Sequence, residues 1–135
     1  MVELAGRSVL VFQAGGRRLA VSVQELLGVE PASISVLPLA EEAHLGLMKR
    51  QETIFPVFDP LMLLGIGRMR SSSQLVILME IRGCSIGLAC QRVEGSGIIE
   101  GELDPVQGGV EATVAGWPAT LLDLDAAVVE RMGGQ

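Results

Sequence analysis

The sequence is poor in the residues from which most reactive and ligand-binding sites are built. Its 135 residues include no tyrosine, one tryptophan, three phenylalanines and a single histidine. Small-molecule pockets usually have aromatic walls, so this scarcity argues against a ligand pocket. One histidine excludes a multi-histidine metal site and leaves a single imidazole as a candidate general base. The composition therefore disfavours an enzyme or a metalloprotein.

Positive charge is scarce as well. Ten basic residues, nine of them arginine, stand against sixteen acidic residues, which gives a net charge of −6. The longest basic cluster is the pair Arg17-Arg18, and few aromatic side chains are available for stacking on bases. We therefore expect no nucleic-acid partner.

The sequence also lacks long hydrophobic runs and a cysteine motif. Its longest apolar stretches, around Leu75–Met79 and Leu61–Gly65, are far too short to span a bilayer. The opening residues MVELAGRSVLVF place Glu3 where a signal peptide carries positive charge, and no cleavage site follows. Cys84 and Cys90 have no CxxC spacing, which is typical of reduced thiols. We predict a cytoplasmic protein with no direct membrane insertion.

Apolar residues make up 49% of the chain, and their pattern favours β-structure. Ser8–Gln13 is an apolar, β-branched run, and the Ala14–Gly16 turn contains two glycines able to take positive φ. Arg17–Val23 then alternates large apolar residues with small or polar ones, which predicts a β-hairpin. Gln24–Gly28 is expected to form a short helical turn that ends at the glycine.

The same arrangement returns later in the chain. Val76–Ser96 aligns with Val9–Val29 without a gap, at an offset of 67 residues. Gly83 then falls on the turn glycine Gly16, and the apolar positions of the second strand keep their phase. Agreement in turn and phase together indicates an internal duplication.

Each half closes with a strand and a capped helix. Thr53–Phe58 reads as a strand, Asp59 as the N-cap of the next helix, and Gly65 as the stop. Asp123 stands in the same way before Leu124–Met132. Both aspartates are therefore predicted to be structural caps.

These units predict a mainly β fold of paired small barrels with short capping helices. We expect a single domain over residues 1–135, with a first duplicated half at about 8–67 and a second at about 74–132. Arg68–Ser73 is the best candidate for a linker between the halves.

Two alternatives to a binding function depend on the same residues. A small metal-dependent or acid–base hydrolase would need His44, Asp59 and Asp123 in one cleft, with Glu41 and Glu42 as further metal ligands. A ligand-sensing double barrel would need a closed, polar cavity between its lobes. We favour neither, and we predict no catalytic residue, no metal and no cofactor.

Residues 46–65, GLMKRQETIFPVFDPLMLLG, resemble the signature of the CheW family of chemotaxis coupling proteins. That signature runs G-L-x-N-x-R-G-x-x-x-P-V-x-D-L-x-x-x-L-G. The positions that agree in register are Gly46, Leu47, Pro56, Val57, Asp59, Leu64 and Gly65. Leu75–Gly95 and Val110–Val128 are similar to the family's second hairpin and its closing segment.

The resemblance implies a fold of two five-stranded barrels similar to SH3 domains, and a non-catalytic adaptor. Such an adaptor joins a CheA-type histidine kinase, through the CheW-like regulatory domain of that kinase, to the cytoplasmic tip of a chemoreceptor. The implied partners are therefore two proteins.

The sequence departs from the family pattern at the residues that contribute to partner binding. Gln51-Glu52 replaces the family's Arg-Gly pair, Arg50 comes one position early, and Gln91 replaces an aspartate. A one-residue shift along a strand sends a side chain to the opposite face, and an amide lacks the bidentate donors of a guanidinium. We therefore predict a divergent coupler, in a specialised chemosensory pathway such as one governing type IV pili. Its predicted partner-binding residues are Lys49, Arg50, Gln51, Glu52, Gln91 and Arg92.

Overall fold

The computed structural model describes residues 6–34, 44–69 and 74–125, with His44 and residues 101–103 described by their backbone alone. Within these residues the chain forms ten strands, the short helix α1, a 3₁₀ turn at Val23–Glu25 and the first residues of a helix at Leu124. The elements are β1 Ser8–Ala14, β2 Arg17–Ser22, β3 Leu26–Pro31, β4 His44–Arg50, β5 Thr53–Phe58, α1 Pro60–Leu64, β6 Leu75–Ile81, β7 Cys84–Cys90, β8 Arg92–Val106, β9 Gly109–Val114 and β10 Trp117–Leu122.

Both predicted hairpins are present. β1 pairs with β2 and β6 pairs with β7, and the first strands of the two hairpins begin 67 residues apart, at Ser8 and Leu75. Each hairpin turns on two residues with positive φ, because that geometry matches the twist of the flanking strands. In the first turn Gly15 and Gly16 have φ of 59° and 78°. Glycine takes such values without steric penalty.

The ten strands form two five-stranded sheets. One is a closed barrel of order β1-β2-β10-β9-β8, which we call the barrel lobe, and the other has the order β3-β6-β7-β5-β4, which we call the sheet lobe. Each lobe takes a hairpin from one half of the sequence and three strands from the other half. The halves are therefore interleaved, and neither half builds a lobe by itself.

Short parallel pairings join each hairpin to the strands of the other half. In the barrel lobe β10 meets β2 at Thr120↔Leu19 and Leu121↔Ala20. In the sheet lobe β5 meets β7 through an equally short ladder that begins at Val57↔Gly87. All other pairings between neighbouring strands are antiparallel.

The prediction of a mainly β fold with two five-stranded units is confirmed, and the two sheets differ in closure. β8 is fifteen residues long and pairs with both β1 and β9, which closes the barrel lobe. The corresponding strand β3 is six residues long and pairs with β6. Among the described residues β3 does not pair with β4, so the sheet lobe has a gap between these two strands, which we call the seam.

A core shared by both lobes holds them together. Alternation along β2 sends Leu19 and Val21 into this shared core and Ala20 into the barrel interior. From the sheet lobe, Ile86 and Leu88 enter the same cluster. Small residues on the opposite faces permit tight packing, as the sequence suggested: a Cβ atom at Gly87 would stand 2.7 Å from Val76 Cγ1.

Two local expectations need correction or fall outside the described residues. The helical turn expected at Gln24–Gly28 is a 3₁₀ turn that ends at Glu25, and Gly28 lies within β3, paired with Leu78. Pairing with β6 outweighs the glycine stop signal there, because a strand in this sheet satisfies its backbone hydrogen bonds. Most of the Arg68–Ser73 linker and the helix after Asp125 lie outside the described residues.

Candidate protein-interaction surfaces

Asp59, a candidate acid or base, is used in holding the backbone. It is 3% exposed and stands at the N-cap of α1, where its Oδ1 accepts a hydrogen bond from the Leu61 N–H at 2.9 Å. Its Oδ2 accepts from the Met69 N–H, also at 2.9 Å. Pro60 occupies the first helical position, and Gly65 ends the helix at a φ of 72°. Both carboxylate oxygens therefore serve the fold.

Asp123 lies in a different environment. It is exposed, it precedes the first helical residue, and its N–H donates to the Gly108 carbonyl at 2.9 Å. It borders a cavity of about 290 Å³ that also contains Glu25 and Asp125. Burial, then the Asp125 carboxylate, raises the pKa of Glu25 above its usual range. Asp123 and Asp125 are both exposed, so this is not the closed cavity with buried charge that a ligand sensor needs.

A hydrolytic site does not assemble in the part of the chain that the structure describes. The His44 side chain, Glu41 and Glu42 lie outside the described residues. No three described histidine, cysteine, aspartate or glutamate side chains are grouped so that they could hold a metal ion. The chemistry of the described surface is that of binding.

The predicted binding residues 49–52 lie at the tip of the β4–β5 hairpin. Arg50 pairs with Thr53, which leaves Gln51 and Glu52 as the two residues of the turn. Their expected position on a strand was wrong, so a one-residue shift does not move a side chain from one strand face to the other here. Gln51 is exposed and has a φ of 55°. Sequence reasoning missed this turn because Glu52 stands where the other hairpin turns carry glycine.

Arg50 extends from this tip across the seam. Its Nε lies 3.3 Å from Glu30 Oε2 on β3, and both side chains are about one third exposed. The guanidinium also lies over Gly28, where a Cβ atom would stand 3.2 Å from Arg50 Nη1. The ion pair therefore connects two strands that share no backbone hydrogen bonds in the described residues.

Gln91 and Arg92 belong to the other lobe. The Gln91 Oε1 accepts a hydrogen bond from the Gly15 N–H at 2.6 Å, and its own N–H donates to the Gln13 carbonyl at 2.9 Å. The amide that replaces the family's aspartate thus contacts the β1–β2 turn. Arg92 begins β8 and is exposed. The six predicted residues therefore form two groups, one in each lobe.

Exposed apolar side chains on the sheet lobe are the main feature that sequence reasoning missed. Ile54 is 56% exposed and pairs directly with Lys49 in the hairpin. Leu27 and Val29 project from β3 and are 45% and 37% exposed. Their alternation with half-buried neighbours was the signal of a strand, and it was obscured by reading that segment as a helical turn.

Two β-lobes with apolar side chains exposed at their edges define a protein-binding scaffold domain. The family model of the CheW-like domain matches residues 8–128. The chain therefore belongs to the CheW-like family, whose members act as non-catalytic scaffolds in chemotaxis signalling, and it is not an enzyme.

A solved structure agrees in fold. The chain is similar to the scaffolding protein TtCheW from Thermoanaerobacter tengcongensis, with a TM-score of 0.77 and 21% sequence identity over 90% of this chain and 87% of that one. No curated protein matches the sequence. Among the described residues, no helix has the length and hydrophobicity needed to cross a membrane.

Proposed function

We propose that the chain is a cytoplasmic adaptor that couples a CheA-type histidine kinase, through the kinase's regulatory domain, to the tip of a chemoreceptor. The observation that carries this proposal is the edge of the sheet lobe, where Ile54, Leu27 and Val29 are exposed beside the Arg50–Glu30 ion pair. Family membership supports the general role of a scaffold.

The composition of this edge suits a protein partner. Protein interfaces combine an apolar centre with a polar rim, and Lys49 and Glu52 supply exposed charges beside Ile54. A kinase regulatory domain of the same β-architecture offers strand edges of its own. We propose the sheet-lobe edge as the place where it docks.

The β4–β5 turn supports the more specific proposal of a divergent pathway, such as one governing type IV pili. Arg50 is already engaged by Glu30, and the exposed turn presents the Gln51 amide and the Glu52 carboxylate. A partner that requires a free guanidinium at this turn would not find one. A specialised receptor with a hydrogen-bonding or basic contact residue fits this surface better.

The docking proposal is tested by substituting Ile54→Asp and titrating the variant against the isolated regulatory domain of the cognate kinase by calorimetry. Burying a charged side chain in an interface centre should weaken binding by more than about thirtyfold, as expected for a hot spot of about 2 kcal/mol. Ile98→Asp is the matched control, because Ile98 is 55% exposed but lies on the barrel lobe. Equal losses in both variants, or none in Ile54→Asp, would contradict the proposal.

The proposal of a retuned partner is tested by Gln51→Arg together with Glu52→Gly. This change should strengthen binding to receptor-tip peptides from a standard chemotaxis system by roughly tenfold or more, since a charge-assisted hydrogen bond contributes about 1.5–3 kcal/mol. Glu52→Gly alone separates the effect of the turn from that of the guanidinium. Unchanged affinity in a folded double variant would show that these two residues did not set the partner.

A further inference from the structure

One end of the barrel lobe carries a surface that the adaptor proposal does not use. It is a shallow depression of about 520 Å³. The side chains that line it and matter here are Gln13, Arg18, Arg92, Glu94, Trp117 and Pro118. They come from β1, β2, β8 and β10, so the interleaved fold brings together residues that are far apart in the sequence.

Arg18 makes the floor of this depression rigid. Its Nε donates to Glu94 Oε1 at 3.1 Å, and its Nη1 donates to the carbonyl oxygens of Trp117 at 2.9 Å and Val114 at 3.1 Å. Gln13 Nε2 donates to Glu94 Oε2 at 3.0 Å. The Gln13 hydrogen bond, followed by those of Arg18, holds the pKa of Glu94 below its usual range. Glu94 is therefore ionised and its charge is matched within the surface.

Trp117 lies exposed on this floor. Its side chain is 67% exposed, the most of any large apolar residue among those the structure describes, and Pro118 beside it is also exposed. Tryptophan and arginine are the residue types that most often dominate binding energy at interfaces. Because Arg18 fixes the Trp117 backbone, little further ordering is needed when a partner binds.

The charge of the surface is positive, although the chain as a whole has a net charge of −6. Arg18 is matched by Glu94, but Arg92 and the neighbouring Arg17 form no ion pair with any described residue. Arg92 contributes only a longer-range attraction to Glu94. The surplus charge favours an acidic partner and opposes a second copy of this acidic chain.

We propose that this end of the barrel lobe is a second docking surface, and that it takes an extended, acidic segment of another protein. A carboxylate of the segment pairs with Arg92, and a neighbouring apolar side chain packs on Trp117. The depression is shallow and open to solvent, which suits a stretch of polypeptide better than an enclosed small molecule. This proposal goes beyond the adaptor function, since it concerns the other lobe and different residues.

The experiment uses Trp117 itself as the reporter, because it is the only tryptophan and the chain contains no tyrosine. The full chain is titrated with a ten-residue peptide of alternating glutamate and leucine, and with the same peptide carrying lysine in place of glutamate. We expect a saturable change in Trp117 fluorescence with the glutamate peptide and a much weaker one with the lysine peptide. Added salt should weaken the acidic complex, since salt screens exposed charges.

Arg92→Gln should weaken binding of the glutamate peptide about tenfold, as loss of one charge-assisted contact implies. Arg82→Gln is the matched control, because Arg82 is an exposed arginine on the β6–β7 turn of the sheet lobe, and it should leave the affinity unchanged. Trp117→Ala, followed by anisotropy of a labelled peptide, should also weaken binding.

Three results would overturn the proposal. The first is equal binding of the two peptides, and the second is an equal effect of Arg92→Gln and Arg82→Gln. The third is a fluorescence change that follows the concentration of the protein alone, which would assign the surface to a second copy of the chain. Calorimetry of the Arg92→Gln variant with the kinase domain keeps the two proposals separate, because the sheet-lobe edge is intact in it.

Discussion

The two lobes solve the same packing problem with opposite chemistry at one pair of positions. In the barrel lobe Val114 on β9 is 1% exposed, and its Cγ1 would lie 2.5 Å from a Cβ atom at Gly97 on β8. The equivalent residues in the sheet lobe, at the duplication offsets of 64 and 67, are Arg50 and Glu30. Valine against glycine permits two strands to close over an apolar interior.

Arginine and glutamate at the same place keep their strands at the surface. The Arg50–Glu30 pair remains about one third exposed, because burying both charges would require removing their water. The duplicated unit therefore yields a closed core in one lobe and an edge with exposed side chains in the other. A change at two positions separates a stabilising lobe from a binding lobe.

Placing the sheet-lobe residue in the barrel should have the largest effect on stability. Val114→Arg inserts a charge into an apolar interior that offers no partner, and we expect a loss of about 3–5 kcal/mol in the free energy of unfolding. Denaturant titration measures it. Val106→Arg is the control, since Val106 is 44% exposed and its substitution should change stability by less than about 0.5 kcal/mol. A mild Val114→Arg variant would mean that the barrel opens readily.

The two equivalent aspartates should differ next. Asp59→Ala removes both the cap and the Met69 hydrogen bond, and should lower the free energy of unfolding by about 2–3 kcal/mol. Asp123→Ala should lower it by less than about 1 kcal/mol, because Asp123 is exposed. Thermal or chemical unfolding of the two variants tests this order. If Asp59→Ala abolished kinase binding and left stability intact, Asp59 would be a site residue and not a cap.

Glycine at position 87 offers a finer comparison, since the equivalent barrel residue is Ala20. Gly87→Ala would place its Cβ atom 2.7 Å from Val76 Cγ1 and 3.3 Å from Val57 Cγ2, so the sheet lobe must shift. We expect a loss of about 1–3 kcal/mol from overpacking, measured by denaturant titration. Ser85→Ala, in the same strand, is the control. A neutral Gly87→Ala variant would show that the sheet lobe has spare room.

The smallest effect on stability is expected for the exchange that transplants the barrel residues into the seam. Arg50→Val with Glu30→Gly removes a partly exposed ion pair, which contributes about 0.2–1 kcal/mol. The more telling measurement is hydrogen exchange, which should slow at β3 and β4 if the strands approach one another. Faster exchange in both strands would show that the ion pair holds the seam together.

Local features of the fold followed from the sequence because local chemistry sets them. The glycines Gly15 and Gly16 predicted one turn, and Asp59 followed by Pro60 predicted the start of α1. The interleaving did not follow, because each hairpin has the same pattern whether it pairs with its own half or with the other. Strand pairing depends on contacts between distant residues, and a single sequence does not display them.

The candidate surfaces were predicted only in part for related reasons. Arg50 was identified, but its contact with Glu30 joins residues on two different strands and leaves no local pattern. Trp117 was noted as part of a turn, and its exposure depends on Arg18, which lies on β2. Glu52 concealed its turn because it is not a glycine. The sequence therefore indicated which residues bind but not which ones act together.

The short parallel pairing in the barrel lobe has a consequence for how the protein is made. Leu19 pairs with Thr120, so the barrel lobe closes only after the ribosome has supplied nearly the whole described chain. Until then the first hairpin has no completed sheet to join, and its apolar faces remain open to chaperones or to aggregation. Such distant contacts also slow folding. A nascent or truncated chain would therefore lack both lobes, and only the finished polypeptide could enter a signalling complex.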